Sequence, residues 1–227
     1  MIQLRVEGQK WTVLNISCLY SSHQSNCFGC KVENFCHTGN VDNAWTSKLS
    51  FFVVNTINFL FFVYYRALIF PLLIREGKPT PFFTFVLALL FCAFNGYLQG
   101  RSLTTYATYP PGWLGGSRFI TGFLGWLIGM AINIHSDHIL RNLRKPGETG
   151  YKIPRGGMFE YVSGANFFGE ILEWFGFALA CCTIESFAFA LCTLFILSSR
   201  ARQHHKWYLE KFEDYPKDRK IVIPFLY

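Results

Sequence analysis

The chain has 227 residues, a length that suits one domain or one membrane bundle. It is 51% hydrophobic and 19% aromatic, with 25 phenylalanines, and only 15% charged, against about a quarter in soluble domains; this composition argues against a soluble globular domain. The net charge of +7 sits in short runs beside apolar segments, which points to juxtamembrane loops and away from nucleic acid.

Residues 1 to 47 are polar, mixed and without helical periodicity, and are read as a separate loop-like segment ahead of a membrane domain at 48–227. The opening MIQLRVEGQKWTVLN lacks a long apolar core before a small-residue cleavage site, so no signal peptide is expected. Asn15-Ile16-Ser17 fits a glycosylation acceptor if it lies in a lumen. Cys27, Cys30, Cys36 and His37 are ligand types for zinc, but only one spacing among them is typical of such a site. Cys92, Cys181, Cys182 and Cys192 fall in apolar sequence and are read as small packing residues.

Leu49 to Ile74 is apolar apart from two asparagines and Arg66, and meets the roughly 20 residues a spanning helix needs. Arg66 either snorkels to an interface or faces a polar interior. A second span runs from Phe82 to Leu98 and ends in NGYLQG, where Asn95 and Gln99 share a face. The loop RSLTTYATYPPGWLGGSR has the aromatic content of an interfacial belt. Phe119 to Leu140 is the third span, with Asn133 and Asp137 on one face; Asp137 could equally cap or pair with Arg141. A basic loop follows (Arg141, Arg144, Lys145, Lys152, Arg155), broken by Pro146-Gly147 and Pro154 to Gly157. Ala165 to Leu197 is apolar again, and Thr183-Ile184-Glu185 is read as a tight turn between two short spans. A net basic tail closes the chain.

The expected fold is therefore all-α, a polytopic membrane helix bundle of about five spans. Basic residues follow the first and third spans and fill the tail, whereas the loop after span two has only Arg101 and Arg118, and the next turn holds Glu185. The positive-inside rule then places the basic loops and the C-terminal tail in the cytosol, and residues 1 to 47 in the lumen. Ionisable residues at membrane depth mark a site facing the bundle interior. Cations beside it suit a phosphate-bearing ligand.

NGYLQG, the run from Ile132 through SGANFFGEILEW, and HHKWYLEKFEDYPKDRKIVIPF resemble the steroid 5-alpha-reductases (3-oxo-5-alpha-steroid 4-dehydrogenases). YKIPRGG is closer to the type 1 isoenzyme than to type 2, and the likeness runs from about Arg66 to Tyr227. This resemblance implies a seven-helix enzyme of the endoplasmic reticulum membrane that uses NADPH to reduce the 4,5 double bond of a 3-oxo-4-ene steroid such as testosterone. It places cofactor contacts on Asn133, Asp137, Arg144, Tyr151, Lys152, Asn166, Glu170, Arg200, His204 and Tyr208, and the steroid near Phe91 and Trp174. The chemistry is consistent: Arg144, Lys152 and Arg200 are cations for phosphates, and the amides and carboxylates suit a ribose or carboxamide. No GxGxxG follows a strand, so the dinucleotide is not expected in a Rossmann cradle.

Residues 1 to about 60 match nothing in that family. The family's N-terminal glutamate and tyrosine, which would hydrogen-bond the steroid ketone, find no counterpart, and Val63 stands at the tyrosine's place. That departure makes catalysis by this chain doubtful. Two other readings stay open: reduction of a polyprenol or enoyl lipid (or methyl transfer on one), and a non-catalytic membrane protein that binds NADPH weakly or pairs with a full-length enzyme.

Overall fold

The computed structural model describes residues 81–110, 112–144, 148 and 150–227. The expected N-terminal segment, the span at 49–74 with Val63 and Arg66, the Cys27, Cys30, Cys36 and His37 group, and Lys145 lie outside these residues.

Four long helices are present among the described residues: α1 (Phe82–Arg101), α2 (Ser117–Arg141), α3 (Ala165–Cys181) and α4 (Ile184–Lys211). They take the places of the last four expected spans, and the all-α expectation holds. By length and hydropathy, α2 and α4 could each cross a membrane. α1 runs on into a π-helical turn at Ser102–Tyr106, and short 3-10 turns occupy Trp113–Gly115 and Gly157–Glu160.

α2 and α3 form the closest pair, and their glycines explain why. Gly122 and Gly129 on α2, and Gly169 and Gly176 on α3, recur every seven residues and so stay on one face. A Cβ on Gly169 would lie 2.7 Å from the backbone nitrogen of Asn133, and one on Gly129 would lie 2.7 Å from the carbonyl oxygen of Gly169. Helices in lipid gain little from hydrophobic exclusion, so small residues that let backbones touch supply the attraction through close packing. Trp126, Trp174, Phe177 and Cys181 fill the buried cluster beside this seam.

Two differences from the sequence expectation concern the α3–α4 connection. The break falls at Cys182-Thr183, one residue earlier than the Thr183 to Glu185 turn. Cys182 adopts the left-handed conformation (φ 50°) and Thr183 caps α4 by accepting a hydrogen bond from the Ser186 backbone N–H. Ile184 and Glu185 already belong to α4. The second half is also not short: α4 continues for 28 residues through the polar sequence after Leu197, because Arg200 to Lys211 contains neither proline nor glycine to stop it.

The polar segments sort to opposite ends of the helices. At one end the residues after α1 pack on the α3–α4 turn: Tyr109 donates to the Cys181 carbonyl (2.6 Å), Trp113 Nε1 to that of Ala180 (3.2 Å), and Ser102 to the Glu185 carboxylate (2.6 Å). Burial holds the Tyr109 phenol strongly in its neutral form. At the other end the loop before α3 meets the C-terminal tail, where Ser163 N–H donates to Lys220 O (2.9 Å) and Gly164 N–H to Ile221 O (3.0 Å). Among the described residues, the more basic segments, the loop before α3 and the tail, thus share one end.

Candidate functional site

At the end where the basic loop and the tail meet, three helices each present residues four apart. α2 carries Asn133 and Asp137, α3 carries Asn166 and Glu170, and α4 carries Arg200, His204 and Tyr208. One helical turn separates the members of each set, so they point the same way. The glycine seam sets the relative height of the first two sets, since Asn133 abuts Gly169, the neighbour of Glu170. The third set is brought in by small residues as well: a Cβ on Gly164 would lie 3.0 Å from Cβ of Ala201, which is fully buried next to Arg200. The Phe167 ring lies 5.7 Å from the His204 ring.

Asn133 is 4% exposed and Asp137 1%. Withdrawing an amide and a carboxylate this far from solvent is costly, and for Asn133 the cost falls where α2 packs backbone to backbone on α3. On the same helix, Arg141 Nη2 lies 3.3 Å from His138 Nδ1. Glu173, one turn deeper on α3, is likewise buried.

The basic loop folds back over α4. The Arg144 guanidinium sits 5.1 Å above the Tyr151 ring, and Tyr151 meets Trp207 edge-on at 4.8 Å. Lys152 is exposed and pairs with Glu148. Gly156 and Gly157 take positive φ, and at Gly157 even a Cβ would collide with the His135 imidazole at 2.6 Å, so the loop presses directly on α2. Glu160 closes the turn by accepting from the Gly156 N–H; that bond, with Arg219 nearby, holds its carboxyl below the usual carboxylate range. Arg219 in turn donates to the Pro154 carbonyl at 2.9 Å.

Phe189 links Phe91 to Trp174. Phe189 is 6.0 Å from Phe91 and packs edge-on against Trp174 at 4.5 Å. Phe91 is 53% exposed, whereas Trp174 is buried. Phe189 was missed because its only sequence signal is aromatic character, shared with 24 other phenylalanines (25 in all). Ser163, Tyr215 and Arg219 were missed for a related reason, since their partners lie 42 to 65 residues away.

The arrangement offers buried hydrogen-bonding side chains, a cationic loop above them and an aromatic wall deeper in the bundle. Comparison with known proteins gives it a family. The model of the family described as 3-oxo-5-alpha-steroid 4-dehydrogenase matches residues 78–227. The chain is 67% identical over 169 residues to 3-oxo-5-alpha-steroid 4-dehydrogenase 1 of Mus musculus, covering 74% of this chain and 66% of the relative. It is 59% identical over 170 residues to the type 1 enzyme of Homo sapiens, with the same coverage. Identity to the type 2 enzyme of Homo sapiens is 51% over 164 residues, covering 72% of this chain and 64% of that protein. The likeness is thus stronger to type 1, as YKIPRGG suggests, and the chain spans about two thirds of the length of these relatives. The chain belongs to the 3-oxo-5-alpha-steroid 4-dehydrogenase family.

Proposed function

We propose that the chain is a multi-pass protein of the endoplasmic reticulum membrane that binds NADPH and serves reduction of the 4,5 double bond of 3-oxo-4-ene steroids. Two observations support this reading: the glycine seam sets Asn133 beside Gly169, next to Glu170, and Gly164 and Phe167 of the segment bearing Asn166 lie against Ala201 and His204 of α4. The fit to a dinucleotide is chemical: Asn133 and Asp137 are polar groups withdrawn from solvent, and the cations Arg144, Lys152 and Arg200 lie on the loop after α2 and on α4. NADPH, when bound, supplies a hydride.

In this reading Arg144, Lys152 and Arg200 hold the phosphates, with Tyr151 braced between Arg144 and Trp207. Asn133, Asp137, Asn166 and Glu170 orient the ribose or carboxamide, while His204 and Tyr208 close the site from α4. Phe91 and Trp174 flank the flat apolar steroid, and lipid-buried helices exclude water from the reacting carbons. The basic loop and the tail face the cytosol.

Reduction of an enone also needs a hydrogen-bond donor at the ketone oxygen as charge develops there. The family's glutamate and tyrosine for that task are unmatched in residues 1 to about 60, so the chain retains the cofactor half and turns steroid over slowly. Microsomes containing the chain, given NADPH and labelled testosterone, test both parts. NADPH should raise the thermal midpoint of the purified chain, with little dihydrotestosterone formed. Rapid conversion would overturn the slow turnover, and absence of thermal protection at saturating NADPH would overturn the cofactor assignment.

A further inference from the structure

We propose that Ser163, His205 and Tyr215 are a positioning cluster that holds His204 and Tyr208 at the dinucleotide site; this rests on the cofactor reading above. Ser163 Oγ lies 2.6 Å from His205 Nδ1 and 2.7 Å from the Tyr215 hydroxyl. Ser163 is 4% exposed and Tyr215 3%, so both hydroxyls have left water and depend on each other for hydrogen bonds.

The serine has one proton to give, which makes the chain directional. If Tyr215 donates to Ser163, then Ser163 donates to Nδ1 and His205 carries its proton on Nε2; in the reverse order Nδ1–H donates to Ser163 and Ser163 to Tyr215. Either order satisfies both contacts and holds three side chains from three segments in one geometry.

What those segments carry gives the cluster its role. Ser163 opens the SGAN run that leads to Asn166 and Glu170. His205 sits on α4 directly after His204. The Tyr215 ring lies parallel to that of Tyr208, 5.2 Å away with 5° between planes, and meets His205 edge-on at 6.0 Å. The Arg219 guanidinium lies 5.4 Å from the Tyr215 ring and donates to Pro154 O, so the cluster is also joined to the loop bearing Tyr151 and Lys152. None of the three is a residue expected to touch the cofactor. They act through the ones that are.

The test uses the full chain in detergent or nanodiscs, with NADPH affinity read by energy transfer from tryptophan to nicotinamide. Tyr215→Phe keeps the stacked ring and removes only the hydroxyl, and Ser163→Ala removes the centre of the chain. Each should raise the NADPH Kd about five- to tenfold, and the double variant should lose no more than either single one, because both cut the same chain. A purely structural role would lower the melting temperature and leave Kd alone, so that outcome overturns the proposal. In the Tyr215→Phe background the further loss from Tyr208→Phe should shrink; full additivity would also overturn it. If Tyr215→Phe yields no folded protein, His205→Ala, at the half-buried end of the cluster, should show the same rise in Kd, and an unchanged Kd there counts against the cluster. A parent chain that binds no NADPH sinks the cofactor reading instead, a result distinct from normal binding in the variants.

Discussion

Gly129 and Gly169 meet backbone to backbone: a Cβ on the first would lie 2.7 Å from the carbonyl oxygen of the second, and a Cβ on the second 2.8 Å from that of the first. This contact sets Asn133 of α2 at the height of Asn166 and Glu170 of α3, so it is as much a feature of the site as of the packing. Gly129→Ala and Gly169→Ala must push two helix backbones apart, which costs at least about 1–3 kcal/mol by analogy with overpacked cores. Both should lower the melting temperature and weaken NADPH binding together. Gly125→Ala is the control, since its Cβ would sit in ordinary contact 3.5 Å from Gly176 Cα. It should melt at or above the parent temperature, helped by the better helix propensity of alanine. Equal melting of all three variants would mean that the seam is looser than described.

Asp137 is the most deeply buried carboxylate of the candidate site, at 1% exposure. Asp137→Ala should raise the NADPH Kd by about tenfold or more, the scale of one lost hydrogen bond to a charged group. Isothermal titration or nicotinamide fluorescence measures it. Lys152→Ala offers a contrast on an exposed side chain already paired with Glu148. Its smaller loss should fade as salt is added, because exposed charges are screened.

Phe189 links Phe91 to Trp174, so Phe189→Ala should open the proposed steroid wall without reaching the cofactor. The expected pattern is a rise in steroid KM with an unchanged NADPH Kd. It should come with a stability loss of a few kcal/mol, about the size seen for other partly buried Phe→Ala changes. Phe189→Leu, which keeps most of the volume, should restore stability more than steroid affinity. A steroid KM equal to that of the parent in Phe189→Ala would remove the residue from the wall.

Glu160 gives a pH signature for the loop that covers the site. Its carboxyl is held below the usual carboxylate range, first by the Gly156 N–H and then by Arg219. The folded-state value is therefore lower than the unfolded one, and the stabilisation is fully present above the unfolded value near about 4.3. It is lost as pH falls through the lower folded value. The side chain is 47% exposed, so the effect is small, at most about 1 kcal/mol. Thermal unfolding of parent and Glu160→Gln should differ at neutral pH and the gap should narrow as acid protonates the carboxyl; a gap that does not change with pH would assign it to packing instead.

The sequence alone determined that the chain is helical, where its apolar spans lie, and that Asn133 and Asp137 share a face, since these follow from local periodicity and composition. That Arg200 and His204 share a face as well became clear only with the continuation of α4 past Leu197. The polar residues at Thr183 and Glu185 announced a break, but its place at Cys182 depended on Thr183 turning to cap α4 and on Glu185 staying in the helix to accept from Ser102. Only the tertiary structure decided which glycines face each other, that Phe189 stands between Phe91 and Trp174, and that Ser163 joins His205 to Tyr215. Each of these depends on how two distant segments are aligned along their axes. A helix repeats its faces every turn, so the sequence leaves that sliding register open until the backbones close on one another.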